Sequence, residues 1–224
     1  MPSIESINLR INKFLRKRFA SNRKKKINNK NFSIISNNCW GGMIYESYGL
    51  KKQSPTVGLF FTPKDYLKFI SKFKYYISKE LKFIDYNKSN NLSFLKEYKI
   101  REDVLIGVLD DVEIIFLHYK DKKVAKEKWD KRVKRINFES IVFKFNDQNG
   151  CKKEDLEMFL KLPYKNKLFF TVNKWNINNK YIVKIPQFFN KKYIWASHEP
   201  FGSNIFFNIN KFINNIQKED FFDK

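Results

Sequence analysis

Two cysteines, two histidines, seven glycines and six prolines in 224 residues set the first exclusions. Two thiols cannot build a disulfide-stapled scaffold, and with two imidazoles they cannot furnish a multi-Cys/His zinc site. So little glycine and proline excludes a collagen-like or linker-rich chain. No run approaches the roughly 18 uninterrupted apolar residues of a bilayer span. The opening MPSIESINLRINKFLRKRFA lacks the short apolar core of a secretory signal. Also missing are a P-loop, G-x-G-x-x-G, H-E-x-x-H, C-x-x-C, G-x-S-x-G and a D-x-D pair, which removes the standard phosphate cradles, zincins, thioredoxin-like sites and α/β-hydrolases. The expectation is a cytoplasmic protein of a reducing compartment, with no metal site and no permanently bound cofactor.

What is present is apolar and basic. Hydrophobic residues make up 42% of the chain and aromatics 17%, with 24 Phe, which excludes wholesale disorder. A chain of this length buries about 70% of its unfolded surface. Lys and Arg number 45 against 23 Asp and Glu, a net charge of +22. Such a balance suits nucleic acid, an anionic membrane or phosphorylated substrates, or is compositional, since Lys, Asn, Ile and Phe abound throughout. One block of charge is concentrated. The first 30 residues carry ten Lys and Arg against Glu5 alone, with Ile4, Ile7, Ile11, Phe14, Leu15 and Phe19 at helical steps. This is a basic amphipathic helix that either lies on an anionic leaflet or packs on the domain, with 24–30 a solvated connector.

From residue 31 onward, strand and helix signals alternate. Strands are expected at 32–36 (FSIIS), 57–61 (VGLFF), 140–145, 168–172 and 181–185, with a strand, turn and strand over 104–119. Thr62-Pro63-Lys64-Asp65 reads as a helix start, continued by Tyr66, Phe69, Ile70, Phe73, Tyr76, Ile77 and Leu81. Further helices are expected at 122–137 and 153–160, and 86–103 reads as irregular. The pattern predicts a three-layer α/β fold: a mostly parallel sheet flanked by helices, one domain over 31–224, preceded by the basic helix and connector of 1–30.

Three segments carry candidate chemistry. In SNNCWGG (36–42), Cys39 follows a strand, where ligands gather in open α/β sheets. Asn37 and Asn38 offer amide donors, and Gly41 and Gly42 let backbone approach a ligand. The plainer alternative is a buried structural cysteine. In DDVEIIFLHY (110–119), His118 ends a strand. If the two strands neighbour each other in a parallel sheet, Cys39 and His118 meet at one rim as a thiol–imidazole pair; the alternative is a core histidine, with His198 the fallback base. In KEKWDKRVKRIN (126–137), Trp129 lies on the apolar stripe, with Arg132 and Arg135 placed for bidentate phosphate binding. Equally, these arginines could pair with Asp110, Asp111 or Glu113.

Six blocks in order (SNNCWGG, SPT at 54–56, DYLKF at 65–69, FLHY at 116–119, A-x-x-K-W-x-x-R-x-x-R-I-N at 125–137 and LPYKNKLFFT at 162–171) resemble a bacterial family of exopolysaccharide or capsule biosynthesis proteins of unsettled chemistry. The resemblance covers about residues 30 to 185 and implies an α/β fold and a role in making surface glycans. A looser similarity is to capsule-building acyltransferases with an early Asn-Cys and a later His, which Asn38-Cys39 and His118 match; the Trp-Gly-Gly after Cys39 departs from it. The expected function is acyl or acetyl transfer to a sugar or glycan acceptor. Cys39 is nucleophile, His118 general base, and Asn38 with the Gly41 backbone the oxyanion donors. Arg132 and Arg135 clamp the phosphates of an acyl-coenzyme A donor, and Asn37, Gly41, Gly42 and Trp129 are further substrate-binding residues. Two rivals stand beside it. One is a glycosyltransferase using a nucleotide-sugar, with Asp110, Asp111 or Glu113 as base or metal contact and the arginines on the diphosphate. The other is a non-catalytic basic protein, on an anionic membrane at the inner face through 1–30 or on nucleic acid, the latter not expected because the aromatics keep core spacings.

Overall fold

The structure is a computed structural model, and it describes residues 4–188 and 190–221. In chain order its elements are α1 (Ile4–Arg18), α2 (Ala20–Lys25), β1 (Ser33–Ser36), α3 (Trp40–Ser47), α4 (Pro63–Ser71), α5 (Phe73–Ser78), β2 (Lys82–Ile84), α6 (Leu92–Glu97), β3 (Leu105–Leu109), β4 (Val112–Phe116), α7 (Lys122–Val133), β5 (Ile141–Asn146), α8 (Lys153–Lys161), β6 (Lys167–Thr171), β7 (Ile182–Lys184) and α9 (Ile209–Asn214). Four strands form a parallel sheet ordered β1-β5-β6-β7, and three form an antiparallel sheet ordered β2-β3-β4.

Helices cover both faces of the parallel sheet, which is why β1, β5 and β6 are buried along their whole length. Strand alternation sorts their side chains. Ile35, Phe143, Phe145 and Phe169 share a core with Phe69, Phe73, Trp129 and Phe159. Ile34, Val142, Leu168 and Phe170 share another with Trp40, Ile44, Tyr45 and Ile209. The three-layer α/β expectation holds, with a basic helix at the N-terminus.

Local signals placed several elements. Thr62 caps α4, its hydroxyl accepting from the Asp65 amide at 3.3 Å, with Pro63 in the first turn. Asp65 also accepts from the Glu113 amide at 3.2 Å, tying α4 to β4. The helix does not run on to Leu81. Lys72 leaves helical geometry at φ −126°, ψ 50°, and α5 restarts there. The break lets Phe73 meet Phe143 edge-on at 5.3 Å. Residues 86–103 contain a 3-10 turn and α6.

Two departures matter for function. First, β4 is not a parallel neighbour of β1. A two-residue turn joins it to β3, with Asp110 at φ +57°; so short a turn can join only antiparallel strands. Second, residues 57–61 are no regular strand but a strap between the sheets. The Phe61 amide donates to the Asn37 carbonyl at 3.0 Å, and Phe60 forms a bridge to Ile115. The strap brings the ends of β1 and β4 together although they lie in different sheets.

Candidate active site: a basic cleft beside Cys39

Beyond Ser36 the chain turns through Asn37 and Asn38 into α3, with Cys39 as its N-cap. The two glycines after Trp40 serve packing. A Cβ on Gly41 would lie 3.2 Å from Ile34 Cγ2, and one on Gly42 only 2.9 Å from Val57 Cγ1. They let α3 press on β1 and on the strap. Of the two, only Gly42 lines a cleft of about 330 Å³.

Cys39 and His118 line that same cleft. The strap holds both: Cys39 Sγ donates to the Leu59 carbonyl at 3.8 Å, and the His118 amide donates to the Gly58 carbonyl at 3.2 Å. Gly58 sits at φ +81°, and a Cβ there would lie 3.2 Å from Tyr119 Cε2, so a side chain would be both strained and crowded. His118 is exposed and Cys39 half-buried. Among the described residues no hydrogen bond joins them.

The opposite wall is cationic. Arg132 Nη1 donates to the Val57 carbonyl at 3.1 Å and to the Tyr119 hydroxyl at 2.6 Å, and that hydroxyl donates to the Val57 carbonyl at 2.9 Å. Lys128, one turn earlier on α7, stands 5.4 Å over the Tyr119 ring. Lys52 completes the wall. Partial burial, with Arg132 and Lys128 nearby, pulls its ammonium below the ordinary range, against the opposing pull of Glu46. Three cations and a single carboxylate, Glu46, line this cleft, which suits an anion bearing more than one charge.

Other expected site residues lie elsewhere. Trp129 is 2% exposed and belongs to the core, against Phe69 and Phe116; as a contact for substrate it is corrected. Arg135 falls beyond the end of α7, outside the cleft, and reaches the Lys52 carbonyl at 3.5 Å. Neither arginine pairs with Asp110, Asp111 or Glu113. Asp110 and Asp111 lie at the other end of β4, in a separate cleft. There Tyr75 donates to Asp110, while Tyr76 and Lys68 hold Asp111. The carboxylates of a nucleotide-sugar reading therefore do not meet Arg132. Among the described residues, no three His, Cys, Asp or Glu side chains group to hold a metal ion.

Asn37, Asn38 and Gly41 are buried and face inward, so none lines the cleft. The asparagines belong to a polar cluster behind Cys39 that the sequence reading missed. Lys144, registered beside Ser36 in β5, points between the rings of Trp40 and Phe170, its ammonium 5.8 and 5.7 Å from their centres. It donates to Glu199 Oε1 at 2.5 Å and to Asn38 Oδ1 at 3.0 Å, and both charged side chains are fully buried. Asn146 donates to the same Glu199 oxygen at 2.7 Å, and Asn37 donates to Asn146 at 2.8 Å. Among the described residues, Glu199 Oε2 has no hydrogen-bond partner. Asn38 is thus committed to the Lys144 cluster, and its amide nitrogen lies 3.5 Å from Glu199. A lone lysine in the run SIVFKF was a visible signal; its partner 55 positions on was not.

Burial pushes the Cys39 thiol up from 9.0 to about 11, with Lys144 opposing and Glu199 reinforcing the rise. The resting sulfur is therefore a thiol. At pH 8 its thiolate fraction is about 100-fold below that of an exposed cysteine, so iodoacetamide should label it about that much more slowly. The rate should climb about tenfold per pH unit toward pH 11. Peptide-level mass spectrometry over a time course checks this; labelling as fast as a free thiol would contradict the burial.

The cleft can now be set beside known proteins. The chain is 31% identical over 173 residues to a Haemophilus influenzae protein described as uncharacterized, with 76% of each covered. A family model, a domain of unknown function (DUF1919), matches residues 10–222. That span takes in both sheets and every wall of the cleft, and the chain belongs to the DUF1919 family.

Proposed function

We propose that this protein is a cytoplasmic transferase of bacterial surface-polysaccharide assembly, moving an acyl group, acetyl by preference, from a phosphate-bearing thioester donor to a sugar hydroxyl. One observation carries the chemistry: a thiol, an imidazole and three cations line a single cleft. The pathway rests on the ordered sequence blocks and their resemblance to exopolysaccharide and capsule proteins. Among the described residues no helix is long and apolar enough to cross a membrane. A place at the inner face of the membrane belongs to the same reading.

In this scheme Arg132, Lys52 and Lys128 hold the donor phosphates, as with acyl-coenzyme A. Arg132 is already fixed by Tyr119 and Val57, so little side-chain freedom is lost on binding. His118 takes the Cys39 proton as sulfur attacks the thioester carbonyl; the donor carbon–sulfur bond breaks, and the leaving thiolate takes that proton. The sugar hydroxyl then attacks the acyl-cysteine, His118 accepts its proton, and Cys39 leaves as a thiolate and is reprotonated. A thiol held protonated at rest needs such a base.

Incubation with acetyl-coenzyme A should place one acetyl group on Cys39, detected by intact and peptide mass. Cys39→Ala and His118→Ala should each abolish it. Arg132→Ala should weaken coenzyme A binding by about tenfold or more while leaving Cys39 in place, since a charge-assisted hydrogen bond is worth about 1.5–3 kcal/mol. Full transfer in both Cys39→Ala and His118→Ala would sink the covalent scheme. UDP-sugar binding without coenzyme A binding would move the reading to glycosyl transfer.

A further inference from the structure

Among the described residues of the basic N-terminal helix, Ile11 and Phe14 of the apolar stripe are exposed and Leu15 is half-buried. α1 docks instead through Arg16, which is 7% exposed and whose Nε donates to Glu46 of α3 at 3.1 Å, with Lys17 at 3.9 Å from the same carboxylate. Arg23 of α2 clamps this joint by donating to the carbonyls of Leu15, Arg16 and Ser47 at 3.2, 3.1 and 3.3 Å. With Arg16 turned inward, the other side of the helix faces out. Phe14 is 64% exposed and Ile11 49%. The neighbours of Phe14 three and four positions away are Arg10, Ile11, Lys17 and Arg18. An aromatic ring thus sits at the centre of a cationic face, with a second apolar side chain beside it. Phe19, 44% exposed, follows the end of α1 against Arg23, and Lys24 to Lys26 are exposed beyond it. Ile4 and Ile7 continue the stripe in sequence, but their side chains lie outside the described residues.

The geometry points to this face as a docking surface for an anionic phospholipid membrane. Charge complementarity selects the occupant: the cations meet lipid phosphates while Phe14 and Ile11 enter the boundary between headgroups and acyl chains. A partner that is only a polyanion would gain from the cations alone and would leave two apolar side chains in water. The location has a consequence. Glu46, which anchors Arg16, also lines the cleft that holds Cys39, so α1 packs next to that cleft. The docking surface rests on the membrane place in the proposed function and does not depend on the transfer chemistry, so vesicle binding and acetyl transfer can fail separately.

The test is co-sedimentation of the full chain with vesicles of equal phosphatidylglycerol and phosphatidylcholine, and with vesicles of phosphatidylcholine alone. The protein should bind only the anionic vesicles, and less as salt rises. Phe14→Ser keeps every charge and touches no core residue; it should weaken binding by about tenfold, the loss expected for removing one buried apolar side chain. Arg10→Glu/Arg18→Glu should abolish it with an unchanged melting temperature. Three results would overturn the docking surface: no anionic-vesicle binding, binding indifferent to Phe14→Ser, or tighter binding to a single-stranded RNA than to the vesicles.

Discussion

Lys144→Met is expected to lower the folding stability by about 3–5 kcal/mol, the cost of leaving one buried charge without its partner. Glu199 would then sit fully buried with Asn146 and Asn38 as its remaining donors. Glu199→Gln should cost a comparable amount by stranding the Lys144 ammonium between Trp40 and Phe170. The double variant Lys144→Met/Glu199→Leu should recover most of the loss, because an apolar pair of similar volume needs no compensation in this setting. Urea unfolding with a common m-value measures all three, and singles that simply add would show that the pair is not coupled.

The same variants carry a pH signature. Burial raises the Glu199 carboxyl above its ordinary range, and Lys144 opposes that rise. With Lys144 gone, the folded-state pKa moves further up while the unfolded value stays near about 4.3. A raised carboxyl pKa means that the folded state binds the proton more readily, so stability is lost as pH rises between the unfolded and folded values. The deficit of Lys144→Met should therefore shrink as pH is lowered from 8 toward 5. A deficit that grows on acidification would assign the loss to packing instead of charge.

Trp129→Ala is expected to cost about 3–5 kcal/mol, the range for emptying an aromatic core site. Trp129 is 2% exposed and contacts Phe116 and Phe69 at ring distances of 6.3 and 6.4 Å. Trp129→Phe fills most of that volume and should leave the proposed binding of coenzyme A unchanged, since the residue does not line the cleft. Calorimetric binding together with a thermal melt separates the two roles. A fully stable Trp129→Ala that no longer binds the donor would put the indole back on the substrate face.

Trp129 and Arg132 show how far residue patterns reach. Their spacing on one helix was legible, and so was the boundary of that helix's apolar stripe. Which neighbour faced core and which faced solvent also depended on the strap at 57–61, whose carbonyl at Val57 and whose Gly58 opening receive Arg132 and Tyr119. A run as apolar as VGLFF reads as a strand because composition cannot report whether a ladder partner exists on both sides. In the same way Cys39 and His118 were expected at one rim through neighbouring parallel strands; they line one cleft, but by a strap across two sheets.

Local patterns were enough for the layered α/β frame, the Thr62 cap, the β3-β4 turn and the position of Cys39 just past a strand, because each depends on residues within a turn or two of one another. Long-range meetings were settled only in three dimensions: Lys144 with Glu199, Lys52 with Arg132, and the inward turn of Arg16 that leaves Phe14 outside. Those contacts join residues from 30 to 80 positions apart, and their energies come from burial and desolvation, which exist only once faces have packed.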